Sequence, residues 1–290
     1  MASICRVLDA AGIAYTGVGQ TPEEAAKPYI FECDGKKIGV YACAEHEFSI
    51  VTEYTAGANP IDLLETPDHI AALRAGCDYV IVLYHGGKEH YRYPSPNLQK
   101  VCRKLVEKGA DLVVCQHSHC IGCEEKDQCG TIVYGQGNFL FDGSESEFWQ
   151  TSLLVRIGDD FGISYILLKK NGNLVRYADK AEAAIILKEF RQRSLEIHDA
   201  IILREKYAEF EETYQDTYQL ALSGVRSKLL FRVINKLSSY RFEKWFLNHW
   251  YRESNRLFYR NNEMLQVYMI GYLPLLNIMR CIRSLISRRM

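Results

Sequence analysis

Cys77 to His90 reads CDYVIVLYHGGKEH. After Asp78 the run is apolar and rich in β-branched and aromatic residues, and it stops at His85-Gly86-Gly87. An apolar run of strand length that ends at glycines is expected of a β-strand covered on both faces. A second run of the same kind, DLVVCQHSHC, spans Asp111 to Cys120. Between them SPNLQKVCRKLVEKGA reads as a helix, with Ser95 as cap, Pro96 in the first turn, and Leu98, Val101, Cys102 and Leu105 at a 3.6-residue period. TPDHIAALRAG, just upstream, is helical too, with Thr66 or Asp68 as cap and Gly76 as stop. Strand–helix–strand order through residues 67–115 predicts an α/β protein.

The flanks extend this pattern. PYIFEC-DGKK-IGVYACA (28–44) is two β-rich runs about an Asp-Gly turn, a hairpin signal. GTIVYGQGNFLFD, TSLLVRIG and GISYILLKK are further strands, the last two forming a hairpin around DDFG, so the sheet is mixed. Residues 2–12 form a short helix ended by Gly12, and Pro22 to Ala26 a helical turn. After about residue 178 the pattern turns helical, as one long helix or two. The expected domains are 1–178, α/β, and 179–290, a helical and basic C-terminal region.

The chain of 290 residues is 48% hydrophobic and 24% charged, as a globular protein with a substantial core should be. Its net charge of −1 hides an asymmetry. Residues 225–290 hold thirteen Lys or Arg and three Asp or Glu, a net of +10, which leaves −11 for residues 1–224. No apolar stretch is long enough to span a bilayer, and the N-terminus lacks a secretory pattern. The expected setting is therefore cytoplasmic, and the ten cysteines are expected to be reduced.

The histidines carry the chemistry. In an open α/β sheet, ligands gather beyond the carboxyl ends of the strands. His85 stands at one such end, and His117 and His119 at the next. Residues i and i+2 of an extended chain face one side. Three imidazoles would thus meet in one crevice, a pattern that suits a metal or phosphate site. Cys120-x-x-Cys123 has redox or zinc spacing, and Cys115 and Cys129 could complete a zinc set. Cys115, however, belongs to the buried strand, and Gly122 with Glu124-Glu125 is a poor setting for a thiolate. Structural thiols are the simpler reading.

Several motifs in order resemble the CapA-type proteins of capsule and poly-γ-glutamate synthesis. They are His85-Gly86-Gly87, Gln99, Gly109-Ala110-Asp111, His117-Ser118-His119 and Gly137-Asn138-Phe139, with LDAAGIAYTGVGQTPEEAAKP upstream. The resemblance covers about residues 1–170. It implies a calcineurin-like metallophosphoesterase fold, a mixed β-sheet sandwich flanked by helices, with two divalent ions (Mn, Zn, Fe or Mg) at the strand ends. His85 and His117 would then serve one ion and His119 the other. A metal pair about 3.5–4 Å apart binds a phosphoryl group and makes a hydroxide nucleophile.

The family's first half also carries a strand ending in Gly-Asp and an Asn-His-x-x-Asp turn, which supply a bridging carboxylate and an Asn ligand. Nothing like them precedes Leu8. The expectation is a fold incomplete at its N-terminus, hydrolytic if those ligands are supplied and otherwise an accessory or scaffold protein of the same pathway. Glu45 and His46, just after IGVYACA, are candidates for the same rim, and Asn138 turns its amide to the site or caps a turn. Lys88 and Arg92 belong to a basic, aromatic loop suited to an anionic or glycan-related substrate.

The tail carries an apolar stripe of Leu275, Ile278, Met279, Ile282, Leu285 and Ile286, with Arg280, Arg283, Arg288 and Arg289 largely off it. It reads as an appendage packed on the acidic domain or as an interfacial helix at the inner face of an anionic membrane. No recognised motif supports a nucleic-acid partner.

Overall fold

The computed structural model describes residues 2–223, apart from 47–48, 128–129, 141–145 and 173, together with Val233. The chain divides into two compact units, Met1–Ala208 and Glu209–Met290. Of the second, residues 209–223 and Val233 are described, all helical. The apolar and arginine-rich stripe of the tail lies outside the described residues.

The first unit opens with α1 (Ala2–Ala10), β1 (Val18–Gly19) and α2 (Pro22–Ala25). β2 (Tyr29–Cys33) and β3 (Lys36–Ala44) form the expected hairpin. Its turn residues Asp34 and Gly35 both have positive φ, 50° and 73°, the backbone that a tight two-residue turn requires. There follow β4 (Gly57–Ala58), α3 (Glu65–Gly76), β5 (Tyr79–His85), α4 (Pro96–Glu107), β6 (Leu112–Gln116), β7 (Glu124–Asp127) and β8 (Gly130–Tyr134). After these come α5 (Glu147–Gln150), β9 (Thr151–Ile157), β10 (Ile163–Asn171), β11 (Leu174–Tyr177), α6 (Lys180–Glu196) and α7 (Ala200–Ser223).

The main sheet has six strands in the order β2-β3-β5-β6-β8-β7. The four inner strands run parallel, and the two edge strands antiparallel to their neighbours. A second sheet, β11-β10-β9, is antiparallel throughout. The protein is thus the mixed α/β type that the strand–helix order predicts.

Alternation along β5 and β6 sorts the two faces. Val80, Val82, Tyr84, Val113 and Cys115 join one core with Ile70 and Leu73 of α3 and Leu98, Cys102 and Leu105 of α4. Tyr79, Ile81, Leu112 and Val114 join the other, against Leu153 and Leu167 of the second sheet and Phe190 of α6. α6, which sequence reading places in the C-terminal region, lies in the first unit and packs on this core.

The helix face stays buried to the strand ends. On the opposite face the cover runs out: exposure rises from 5% at Tyr79 to 40% at Leu83, and His85 and Gln116 are exposed. The strand-end histidines lie at this gap.

Two local details depart from the sequence reading. α3 is not capped by Thr66 or Asp68: its N-cap is Leu64, and the Asp62 carboxylate accepts the N–H groups of Leu64 and Glu65 at 2.7 and 2.9 Å. Asp62 takes this role because Thr66 and Asp68 already lie inside the helix, whose first residue is Glu65. The long C-terminal helical pattern is two helices, broken at residues 197–199, where Asp199 caps α7 by accepting from the Ile201 N–H at 2.8 Å. α4 matches expectation, with Ser95 Oγ accepting from the Leu98 N–H at 3.1 Å.

One buried charge ties α4 to the far sheet edge. Glu125 of β7 is 2% exposed. It accepts hydrogen bonds from Gln99 at 3.2 Å, Tyr134 at 2.8 Å and Arg103 Nε at 2.8 Å. Gln99 also donates to the Ile197 carbonyl at 3.0 Å, which anchors the break after α6. A buried carboxylate stripped of its cation is costly, whereas removing both partners is far less so. Arg103→Leu should therefore destabilise the unit by about 2 kcal/mol in urea unfolding, with Arg103→Leu/Glu125→Leu regaining most of the loss.

Candidate metal centre

β5 and β6 end side by side, with His85 in register with Gln116. Past β6 the chain does not stay extended. His117 and His119 take positive φ of 100° and 55°, and His90, in the loop after β5, takes 58°. Residues with a Cβ rarely adopt this backbone, and such strain concentrates at functional sites. The two histidines after β6 therefore meet through a bend, not through the i, i+2 rule of a strand. Their ring centroids lie 6.1 Å apart, and His85 lies 5.0 Å from His117.

The Gly-Gly pair explains the neighbouring loop. A Cβ on Gly86 would fall 2.8 Å from Cγ of Glu45 and 2.9 Å from the Tyr84 ring, and Gly87 has φ of 125°. Only glycine passes here without a clash, and the turn it permits is followed at once by Glu89. Single ligand atoms of Glu89, His117 and His119 all lie within 4.8 Å of one another, the one such group among the described residues. Two imidazoles and a carboxylate suit one borderline divalent ion. The donor set thus includes Glu89, which sequence reading left among the polar loop residues, while His85 stands beside it. Its signal was the spacing His85-Gly-Gly-x-Glu89, whose meaning depends on the direction of the turn.

Asn138 sets the state of His119. It is 6% exposed, and its Nδ2 donates to the His119 carbonyl at 3.2 Å. Its Oδ1 is then the acceptor facing His119 Nδ1 at 2.8 Å, so the Nδ1–H donates to it. Both amide atoms of Asn138 thus bond to His119. Trp149 of α5 stacks on His119 at 4.9 Å and 9°, and its Nε1 donates to His90 Nε2 at 3.2 Å. Nothing in the sequence singled out Trp149, since it is brought in from a distant segment.

The other candidates separate. The Glu45 N–H donates to the His85 carbonyl at 2.9 Å, and both residues line one cleft. His46 is exposed and lies near Asp62. Asp62 is held below the usual carboxylate range, chiefly by the N–H groups of Glu65 and Leu64, with His46 and His69 adding to it. Arg92 pairs with Glu189 at 3.3 Å and lies over the Phe148 ring at 4.6 Å. Lys88 is half-buried. Neither Lys88 nor Arg92 lines the clefts at the rim.

Two clefts meet there. One, of about 430 Å³, is walled by Ala42, Glu45, Ile50, Leu83, His85 and Gln116 among others. The second, of about 500 Å³, holds His85, Gln116, His117, His119, Asn138 and Leu154.

Among the described residues no cysteine joins the cluster. The eight described cysteines are free thiols, six of them buried. Cys102 and Cys115 face each other at 3.5 Å, a hydrogen-bond contact. Burial pushes the thiols of Cys43, Cys102 and Cys123 well up, and that of Cys120 up to about 11. These are structural sulfurs, as the sequence suggested.

The fold and the donor set define a mixed α/β protein with a His/Glu cluster at its strand ends. Residues 1–143 match the family described as bacterial capsule synthesis protein PGA_cap, so this segment is similar to that CapA-type family. β9 to β11 and α6, which pack on the second face of the main sheet, lie beyond the matched segment. The chain is 28% identical over 138 residues to the capsule biosynthesis protein CapA of Bacillus anthracis, covering 46% of this chain and 34% of that protein. It is 30% identical over 118 residues to the PGA biosynthesis protein CapA of Bacillus subtilis (strain 168), covering 41% and 28%. The chain thus spans about a third of the length of these relatives. Among solved structures, a hypothetical protein from Thermus thermophilus aligns with a TM-score of 0.30 and 10% identity over 52% of this chain and 62% of that one. That likeness is too slight to define the fold.

Two outcomes test this account. At φ of 100° His117 works against its backbone, so His117→Gly should be more stable than His117→Ala by about 1 kcal/mol in urea unfolding. The buried thiols have folded-state pKa values above the unfolded value of about 8.5. Their contribution to stability is complete below that pH and is lost as pH rises through the folded values. The urea midpoint should therefore fall between pH 8 and pH 10, while native Cys43, Cys102, Cys120 and Cys123 resist a thiol reagent at pH 8 and react on unfolding.

Proposed function

We propose that this chain serves bacterial capsule polysaccharide or poly-γ-glutamate biosynthesis as a metal-dependent hydrolase of the phosphoesterase type. The observation that carries the reading is the convergence of His117, His119 and Glu89 at the carboxyl ends of parallel strands. The sandwich of two sheets with helices outside also agrees with a calcineurin-like architecture.

The donor set fits one divalent ion of the Zn, Mn or Fe kind better than Mg, which prefers oxygen ligands. His117, His119 and Glu89 would hold it, and when bound it supplies Lewis-acid polarisation of an ester oxygen. Asn138 bonds the His119 ring at Nδ1, and Trp149 packs the same ring from its face. His85, 5.0 Å from His117 between ring centroids, lines both clefts beside the cluster. Leu83 and Leu154 border the clefts as apolar walls that limit the water reaching the site.

Two readings share this pathway, hydrolase and accessory protein, and metal binding separates them. Isothermal titration with Zn²⁺ and Mn²⁺ should show about one ion per chain. His117→Ala and His119→Ala should each weaken binding about a hundredfold and Glu89→Gln about tenfold, with His85→Ala within a few-fold of wild type. Loaded protein should hydrolyse bis(p-nitrophenyl) phosphate. A chain that takes up no ion leaves the accessory role. Among the described residues no helix is long and apolar enough to cross a membrane. Membrane contact through the basic tail stays a proposal, tested by co-sedimentation with anionic vesicles.

A further inference from the structure

The two clefts at the rim are parts of one groove. His85 and Gln116 line both. From β3, which supplies Ala42 to Ala44, the lining passes across β5 and β6 to the segment after β8 at Gln136 to Leu140. Three inter-strand steps at about 4.8 Å make this path roughly 14 Å long, longer than a single sugar ring. A groove of this length with the reacting cluster along it suits a chain more than an isolated small molecule.

Its lining has a marked charge pattern. Among the described residues neither cleft is lined by a Lys or Arg. Glu45 stands at one end, and Glu89 adjoins His117 and His119 towards the other. With neutral imidazoles and one divalent ion the lining is neutral overall; without the ion it is acidic. Apart from the imidazoles, the remaining polar groups are uncharged amides and hydroxyls: Gln116, Gln136, Asn138, Ser49, Ser152 and Tyr84. Gln116 and Gln136 are joined at 2.7 Å, Nε2 to Oε1. Leu83, Leu154, Phe139 and Leu140 are exposed lining residues, 40%, 39%, 51% and 68%.

We propose that this groove binds an uncharged glycan chain and rejects extended polyanions, poly-γ-glutamate included. The proposal deepens the reading above and rests on it for the place where chemistry occurs. An extended polyanion would set its repeated charges against Glu45 and against leucine and phenylalanine walls that offer no cation. Carboxylates desolvated without partners are strongly disfavoured, and like charges face to face add to the cost. A glycan presents hydroxyls to amides and hydroxyls, and the apolar faces of its rings to Phe139 and the leucines, the mixture found in binding clefts. A single phosphate ester on such a chain is the one anionic group the site accommodates, at the His117–His119–Glu89 cluster.

The test uses the full chain, stripped of metal and separately loaded with Zn²⁺. Probes are maltohexaose, cellohexaose and chitohexaose as uncharged chains, and poly-γ-glutamate and dextran sulfate as polyanions, compared by titration calorimetry and affinity electrophoresis at physiological salt. At least one hexasaccharide is expected to bind in both metal states, with both polyanions at least tenfold weaker. Leu154→Glu, on an exposed wall, should weaken the bound hexasaccharide about tenfold with unchanged circular dichroism, and Glu45→Lys should gain dextran sulfate binding, which misfolding cannot mimic. Tighter binding of poly-γ-glutamate than of every hexasaccharide, or no binding of any hexasaccharide, overturns the proposal. The metal reading fails separately, on ion uptake, because the glycan arm is read without metal.

Discussion

Parallel strands must be covered on both faces, and nearly everything about this protein follows from how β5 and β6 meet that demand. α3 and α4 cover one face along its whole length. The second sheet and α6 cover the other only in part. Tyr79, Leu112 and Val114 are buried beneath them, but Leu83 is half-open and His85 and Gln116 emerge at the rim. The incomplete cover is what turns the end of a hydrophobic core into a site.

Strain and rigidity are divided between neighbouring segments. His90, His117 and His119 hold left-handed backbone where the chain turns off the sheet. The strands and helices beneath them are densely buried, with Val80, Val82, Val113 and Ile132 at 0% exposure. A rigid base of this kind lets loops keep costly conformations. Asn138 and Trp149 come from segments after β8 and around α5, and they hold the His119 ring from two sides. Glu125 plays a similar part away from the site, joining α4, β7, β8 and the carbonyl at Ile197.

The proposed chemistry and the proposed ligand are compatible. A His/Glu cluster can act on one ester or phosphate, while amide-lined and apolar walls hold the uncharged remainder of a chain. Residues 1–143 are similar to capsule synthesis proteins of the PGA_cap family, and among the described residues the clefts have no Lys or Arg in their lining, which is the basis of the proposal for a glycan.

The sequence by itself determined the α/β class, because apolar runs at Tyr79–Tyr84 and Leu112–Cys115 alternate with a 3.6-period helix capped by Ser95. It determined the Asp34-Gly35 hairpin, because few residue pairs tolerate that turn, and it marked His85, His117 and His119 by their place at strand ends. Only the tertiary structure decided which groups meet. Glu89 joins the histidines because Gly86 and Gly87 turn its loop back, and Trp149 arrives from about thirty residues past His119. Arg92 is engaged with Glu189 and Phe148 on elements whose packing no local pattern encodes. Periodicity and turn chemistry act between near neighbours in the chain, so they are legible in it; a donor set depends on backbone direction after each turn and on long-range packing, which are settled only when the sheets close.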